Sequence, residues 1–382
     1  MNTETQDTAD NLITHLARPE VRALPAYNAG LSSEVVRQRY GVDYVARLAS
    51  NENPYGPSPR LVEAMASLAQ TVGLYPDANS LELRAAIATR TGAEATQIVV
   101  GNGSENLLEV LCQAFLSPGD RIVTLIPSFG LHEIYPQMMG AKVDMISVTP
   151  ALEFDVDAWC EALAQNPPPK MAILSNPSNP VGCMLDTAAF ERIVQAAPEQ
   201  TLLVIDEAYY EYAVHTSGFP DALTYLRQQQ RPWIVLRTFS KAWGLAGLRV
   251  GYGIASDKRL VQMLDRVRTP FNVNMAAQKA ALTVWNDSPY MEQCVRDTVA
   301  QREWLAAQLR QRGYFMAPSA ANFLFVQVVR PNVAVAEGLL QHGVIVKPWK
   351  EAGYETYIRV SIGSATDNQL FLDALDSVVE RL

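Results

Sequence analysis

Lys241 stands in the run Thr238-Phe239-Ser240-Lys241-Ala242-Trp243-Gly244-Leu245-Ala246-Gly247-Leu248-Arg249, just after a β-branched apolar stretch. Hydroxyls and small or apolar neighbours promise partial desolvation. Desolvation favours the neutral amine, the form that attacks an aldehyde to make a Schiff base. Eight residues on, Arg249 can set a fixed guanidinium fork beside the hydroxyls of Thr238 and Ser240, and the three form a cup for a phosphate dianion. A lone Ser-Lys pair is ordinarily a surface feature, so the reading depends on other parts that fit it.

Three further segments do. In Val204-Ile205-Asp206-Glu207-Ala208-Tyr209 an aspartate ends an apolar strand, at the edge where parallel sheets collect ligands. An ionised carboxylate there can hold a heterocyclic ring nitrogen protonated, which keeps the ring an electron sink. Tyr209 is placed to hydrogen-bond a phenolic oxygen on such a ring. Asn179, in the turn-rich Ser175-Asn176-Pro177-Ser178-Asn179-Pro180, can donate an amide hydrogen bond to the same oxygen. Gly101-Asn102-Gly103-Ser104-Glu105 joins a strand to a helix whose Leu107, Leu108, Leu111 and Phe115 share one face. Gly103 permits close approach of ligand to backbone, and the free amides of Ser104 and Glu105 offer a dianion the positive end of the helix dipole. Ser104 acting as a plain N-cap is compatible with that role. Phe129, in Ile126-Pro127-Ser128-Phe129-Gly130, can stack on a flat heterocycle.

The elements that must position these residues show in the hydrophobic pattern. Apolar runs at 97–100, 121–126, 143–148, 171–174, 202–205, 233–236 and 250–254 alternate with helical stretches, the mark of βαβ units around a mostly parallel sheet. Several runs are apolar throughout, as strands covered by helices on both faces are. After about residue 285 the texture changes to a long charged helix, 290–312, and to strands at 323–329, 344–347 and 357–362, which suggests a smaller α+β domain. The expected division is an N-terminal arm that packs with the small domain (1–49), a large domain (50–284) and a small C-terminal domain (285–382). The first 15 or so residues are expected to be loose.

Composition narrows the class. With 48% hydrophobic and 19% charged residues the chain reads as an ordinary globular protein. Its net charge of −9, carried without blocks of like charge, argues against a nucleic-acid groove, so any phosphate must be bound locally. Cys112, Cys160, Cys183 and Cys294 are scattered, with neither zinc-site spacing nor disulfide density, and no metal is expected. No stretch has signal-peptide or membrane-span character, so the expected location is the cytoplasm, away from membranes.

Taken in order, Pro25-Ala26-Tyr27, Asn51-Glu52-Asn53-Pro54, Leu74-Tyr75-Pro76-Asp77, Gly101-Asn102-Gly103-Ser104, the segments around Asp206 and Lys241, and Tyr357-Ile358-Arg359-Val360-Ser361-Ile362-Gly363 resemble fold-type I aminotransferases dependent on pyridoxal 5'-phosphate. They are most similar to the histidinol-phosphate aminotransferase family, over nearly the whole chain. The resemblance implies an α/β transferase fold of that type, with helices on both faces of the sheet. It implies Lys241 carrying the cofactor covalently, Asp206 on its ring nitrogen, Asn179 and Tyr209 on its phenolic oxygen and Phe129 against its ring. Gly103, Ser104, Glu105, Thr238, Ser240 and Arg249 would hold its phosphate. In proteins this chain resembles, the tyrosine matching Tyr75 reaches the neighbouring subunit's phosphate, which implies a homodimer with shared active sites. Tyr27, Asn53, Lys347 and Arg359 would face substrate, Arg359 as a carboxylate anchor. The implied reaction moves an amino group between L-histidinol phosphate and 2-oxoglutarate. One departure bears on substrate: where the family usually has an arginine for the substrate phosphate, this chain has Lys347, which keeps the charge without the two-pronged geometry. An aromatic amino acid, packed by Trp349, is thus the alternative donor, and decarboxylation is a more distant alternative reaction.

Overall fold

A computed structural model of the chain describes Leu12, residues 14–25 and residues 30–382, with the backbone alone at Ala69. Thirteen strands are present among these residues: β1 (Ala46–Arg47), β2 (Ile98–Gly101), β3 (Arg121–Ile126), β4 (Lys142–Ser147), β5 (Met171–Ser175), β6 (Leu202–Asp206), β7 (Trp233–Thr238), β8 (Gly251–Ala255), β9 (Phe315–Met316), β10 (Phe323–Gln327), β11 (Val344–Ile345), β12 (Lys347–Pro348) and β13 (Tyr357–Ser361). Seven form a sheet in the order β2-β8-β7-β6-β5-β3-β4. The pairs β3/β4, β3/β5, β5/β6 and β6/β7 are parallel, whereas β8 runs antiparallel to both β2 and β7.

The parallel strands are buried because their residues are apolar on both sides. Leu203 and Ile205 of β6 join one core while Leu202 and Val204 join the other, and β5 divides in the same way between Ala172 and Leu174 and Met171 and Ile173. Helices cover both faces, and only β4, at the edge, alternates with exposed positions. The antiparallel strand also has a local cause. Between β7 and β8 the chain makes one short 3₁₀ turn, Ala246–Leu248, so it lacks the crossover helix that would return it parallel.

The second sheet, β12-β13-β10-β9, is antiparallel, and its core includes Leu305, Leu309, Leu324, Val326, Leu339, Phe371 and Leu375. The long helix there is Ser288–Gln311, opened by Pro289 in its first turn, where a missing N–H costs nothing. The apolar run at 344–347 does not make one strand. β11 pairs parallel with β1, Val346 intervenes, and β12 pairs with β13, so the run passes from one sheet to another. The β1 pairing and a hydrogen bond from Tyr40 Oη to Glu337 tie the segment before residue 50 to this second layer. Among the described residues no helix is long and apolar enough to cross a membrane.

Candidate active site

The C-terminal ends of β2, β5, β6 and β7 lie along one edge of the large sheet, where residues from distant segments converge. Lys241, three residues past β7, donates from Nζ to the Ser50 carbonyl at 2.9 Å. Burial pulls its amine down from 10.5 to about 7; Arg359 and Arg249 push the same way, and Glu52 and Asp206 oppose. A substantial fraction of the amine is thus neutral near pH 7, the form that attack on an aldehyde requires.

Asp206 ends β6 with its Oδ1 accepting from the Ala208 amide at 3.1 Å. Its Oδ2 lies 2.9 Å from His132 Nε2, and His132 Nδ1 lies 3.1 Å from Ser128 Oγ. All three side chains are buried, so the carboxylate is held in one orientation by His132, 74 residues earlier, which Ser128 orients in turn. Phe129 packs edge-on against His132 with centroids 5.6 Å apart. His132 and Ser128 escape a reading of the sequence. Their spacing, one turn apart across a strand-to-helix turn, carries no indication of the carboxylate they meet.

Tyr209 is buried, which raises its pKa and keeps the phenol protonated, and its Oη accepts from Asn51 Nδ2 at 2.9 Å. Asn179 Oδ1 accepts from Arg359 Nη1 at 2.6 Å, while Arg359 Nη2 donates to the Ala49 carbonyl at 2.6 Å. A candidate cofactor ligand and a candidate substrate anchor are therefore in direct contact. Lys347 faces Arg359 in cross-strand register on β12 and β13, and burial, followed by the charge of Arg359, lowers its pKa.

The proposed phosphate cup forms around the helix Ser104–Phe115. Its N-cap is Gly103 rather than Ser104, at φ +86°, ψ 161°, a conformation that suits glycine. No side chain caps the helix, so its first amides face the edge of the sheet. A Cβ on Gly103 would come within 2.8 Å of Arg249 Nη2, and one on Gly251 within 2.3 Å of the Ser104 amide nitrogen, so both glycines let backbone and guanidinium close in. Arg249 itself sits in the left-handed region at φ +57°, with Nη1 3.4 Å from Ser240 Oγ and Nη2 3.3 Å from Glu105 Oε2. Thr238 Oγ1 accepts from the Ser240 amide at 3.1 Å. The donor set of helix amides, two hydroxyls and a guanidinium fits a phosphate group, and Lys241 and Asp206 fit an aldehyde and a ring nitrogen beside it.

One described candidate, Tyr75, lies apart from this cluster. Tyr75 is 81% exposed and stacks on Phe271 with centroids 4.6 Å apart, and Tyr27 lies outside the described residues. Asn53 bonds to the segment next to Lys241: Nδ2 donates to the Ala242 carbonyl, and Oδ1 accepts from the Tyr55 amide.

Residues 44–376 match the family model described as aminotransferase class I and II. The chain belongs to that aminotransferase family. This aminotransferase is 47% identical over 361 residues to histidinol-phosphate aminotransferase 3 of Rhizobium meliloti, covering 94% of this chain and 97% of that one. It is also 47% identical to histidinol-phosphate aminotransferase 1 of Mesorhizobium japonicum, covering 95% and 98%. The crystal structure of the histidinol-phosphate aminotransferase from Sinorhizobium meliloti in complex with pyridoxal 5'-phosphate superposes with a TM-score of 0.86 at 26% identity, over 96% of this aminotransferase and 98% of that chain. The fold is that of the fold-type I transferases.

Proposed function

We propose that this aminotransferase uses pyridoxal 5'-phosphate to move an amino group between L-histidinol phosphate and 2-oxoglutarate, as a cytoplasmic homodimer. When bound, the cofactor supplies an aldehyde for the amine and an electron-withdrawing ring. Lys241 Nζ would hold it covalently, and the free amine would take the proton from the substrate α-carbon. Asp206, oriented by His132, would keep the ring nitrogen protonated, and Phe129 would lie against the ring. Asn179 and Tyr209 serve the phenolic oxygen. The amides at Gly103, Ser104 and Glu105, with Thr238, Ser240 and Arg249, hold the phosphate, and Tyr75 completes it from the neighbouring subunit. Residues 50–284 form the cofactor-binding domain, and 285–382 with the arm 1–49 form the small domain that brings Arg359 and Lys347 over it.

The observation that carries the choice of substrate is the cross-strand pair Lys347 and Arg359. Two adjacent cations match a substrate with a phosphate dianion, or the two carboxylates of 2-oxoglutarate, better than a neutral aromatic side chain. The relatives' names support the same reading. Trp349, whose ring centre lies 5.9 Å from the Arg359 guanidinium, is the one feature that favours an aromatic donor. Assaying glutamate as donor with imidazole acetol phosphate or phenylpyruvate separates the two. The expected result is a kcat/KM at least about tenfold higher for the phosphorylated acceptor; equal values would transfer the assignment to aromatic amino acids.

A further inference from the structure

Asn51 is nearly fully buried and holds a left-handed backbone conformation, φ +56°, that few residues other than glycine adopt. Four hydrogen bonds fix it there. Its amide N–H donates to Ser361 Oγ at 2.8 Å, and Ser361 Oγ in turn donates to Asn51 Oδ1 at 2.8 Å. Its carbonyl accepts from Asn322 Nδ2 at 3.0 Å, and its own Nδ2 donates to Tyr209 Oη at 2.9 Å. Ser361 and Asn322, on or beside β13 and β10, are buried as well, so solvent does not compete for these groups.

The direction of each bond follows from the one before it. Because the hydroxyl of Ser361 accepts from the Asn51 backbone and gives its proton to Oδ1, the side-chain amide presents N–H to Tyr209. A phenol has a single proton, and a phenol oxygen that already accepts from Asn51 has that proton left to donate elsewhere. We propose that Asn51 is a positioning residue that commits Tyr209 to act as a hydrogen-bond donor within the active site, and that it is held in that orientation by Ser361 of the second sheet. The inference rests on the reading that Tyr209 serves the cofactor's phenolic oxygen. The same loop also supplies the Ser50 carbonyl that accepts from Lys241, so one segment addresses both residues.

A hydrogen bond donated to the phenolic oxygen stabilises its anion most when no neighbouring proton shares the charge, so losing the donor raises the pH of the visible absorbance transition of the bound cofactor. The charged groups around Lys241 are Arg359, Glu52, Arg249 and Asp206, and those acting on Tyr209 are Arg359 and Asp206; all are retained in the variants used. The test is a pH titration of that absorbance in cofactor-loaded protein for wild type, Tyr209→Phe, Asn51→Gly and the double variant. Glycine tolerates the left-handed backbone, so Asn51→Gly removes the side chain without imposing strain.

Tyr209→Phe should raise the midpoint by about one pH unit, and Asn51→Gly should raise it by roughly half that or more. In the Tyr209→Phe background Asn51→Gly should add nothing, because there is no hydroxyl left to orient. A shift of equal size in both backgrounds would mark Asn51 as a general structural support and overturn the proposal, as would an unchanged or lowered midpoint for Asn51→Gly alone. If Tyr209→Phe itself leaves the midpoint unmoved, the underlying role of Tyr209 fails instead. Ser361→Ala, which releases the amide from its orienting partner, makes the same comparison should Asn51→Gly not fold.

Discussion

The role proposed for Lys241 requires an uncharged amine, and its surroundings favour that state by burial and by the charges of Arg359 and Arg249, against the opposing charges of Glu52 and Asp206. Lys241→Ala is expected to lower turnover by on the order of 10⁴-fold or more, measured as keto-acid formation under saturating cofactor. The depressed amine pKa also sets a pH dependence of stability. Between about 7 and the unfolded value of 10.5 the unfolded chain holds the extra proton, so the cofactor-free protein should become more stable as pH rises through that window. Lys241→Met should flatten this dependence and raise stability at pH 7 by up to about 4 kcal/mol, read from thermal melts across pH; an unchanged slope would mean the amine titrates normally. At the same scale, His132→Leu removes the bond that orients Asp206. It should lower kcat by about tenfold while leaving cofactor affinity within a few-fold, with the two separated by steady-state kinetics and absorbance titration.

At the scale of elements, the proposed phosphate cup depends on how closely β8 approaches the start of the helix Ser104–Phe115. A methyl group at position 251 would sit 2.3 Å from the Ser104 nitrogen and 2.7 Å from the Gly103 carbonyl carbon, both backbone atoms with no side-chain freedom to yield. Gly251→Ala should therefore push the helix terminus away and weaken cofactor binding by roughly tenfold or more, measured by equilibrium titration; an unaltered affinity would show that the amides do not bind the phosphate. The strands that lead to the cup were legible in the sequence because β3, β5, β6 and β7 are apolar on both faces, a pattern that only a covered sheet tolerates. The direction of β8 was not, since an apolar run has the same composition whichever way it points. The switch of partner between β11 and β12 was hidden for a similar reason: 344–347 reads as one strand, yet Val344 and Ile345 pair with β1 and Lys347 pairs with β13.

The whole molecule brings two packed layers together around the site, with Arg359 and Ser361 of the second sheet reaching Asn179 and Asn51 beside the first. Tyr75 is exposed, as are the apolar Val72, Leu74 and Leu81 of the same stretch of chain. Sedimentation equilibrium should show a dimer, and Tyr75→Ala should weaken cofactor binding by about tenfold with the melting temperature of the cofactor-free protein unchanged; a fully active monomer would sink the shared-site arrangement. The residues proposed for the chemistry, Lys241, Asp206, Arg249 and the glycine turn at 101–103, could be nominated from sequence because each nomination depends on immediate neighbours: a strand end, a helix start, a cluster of hydroxyls. What those residues touch was decided by the tertiary structure alone. His132 meets Asp206 across 74 positions, Arg359 meets Asn179 across 180 and Ser361 meets Asn51 across 310. A hydrogen bond forms between atoms about 3 Å apart whatever chain lies between them, and local sequence preferences act over only a few residues, so the linear order carries no trace of such partners.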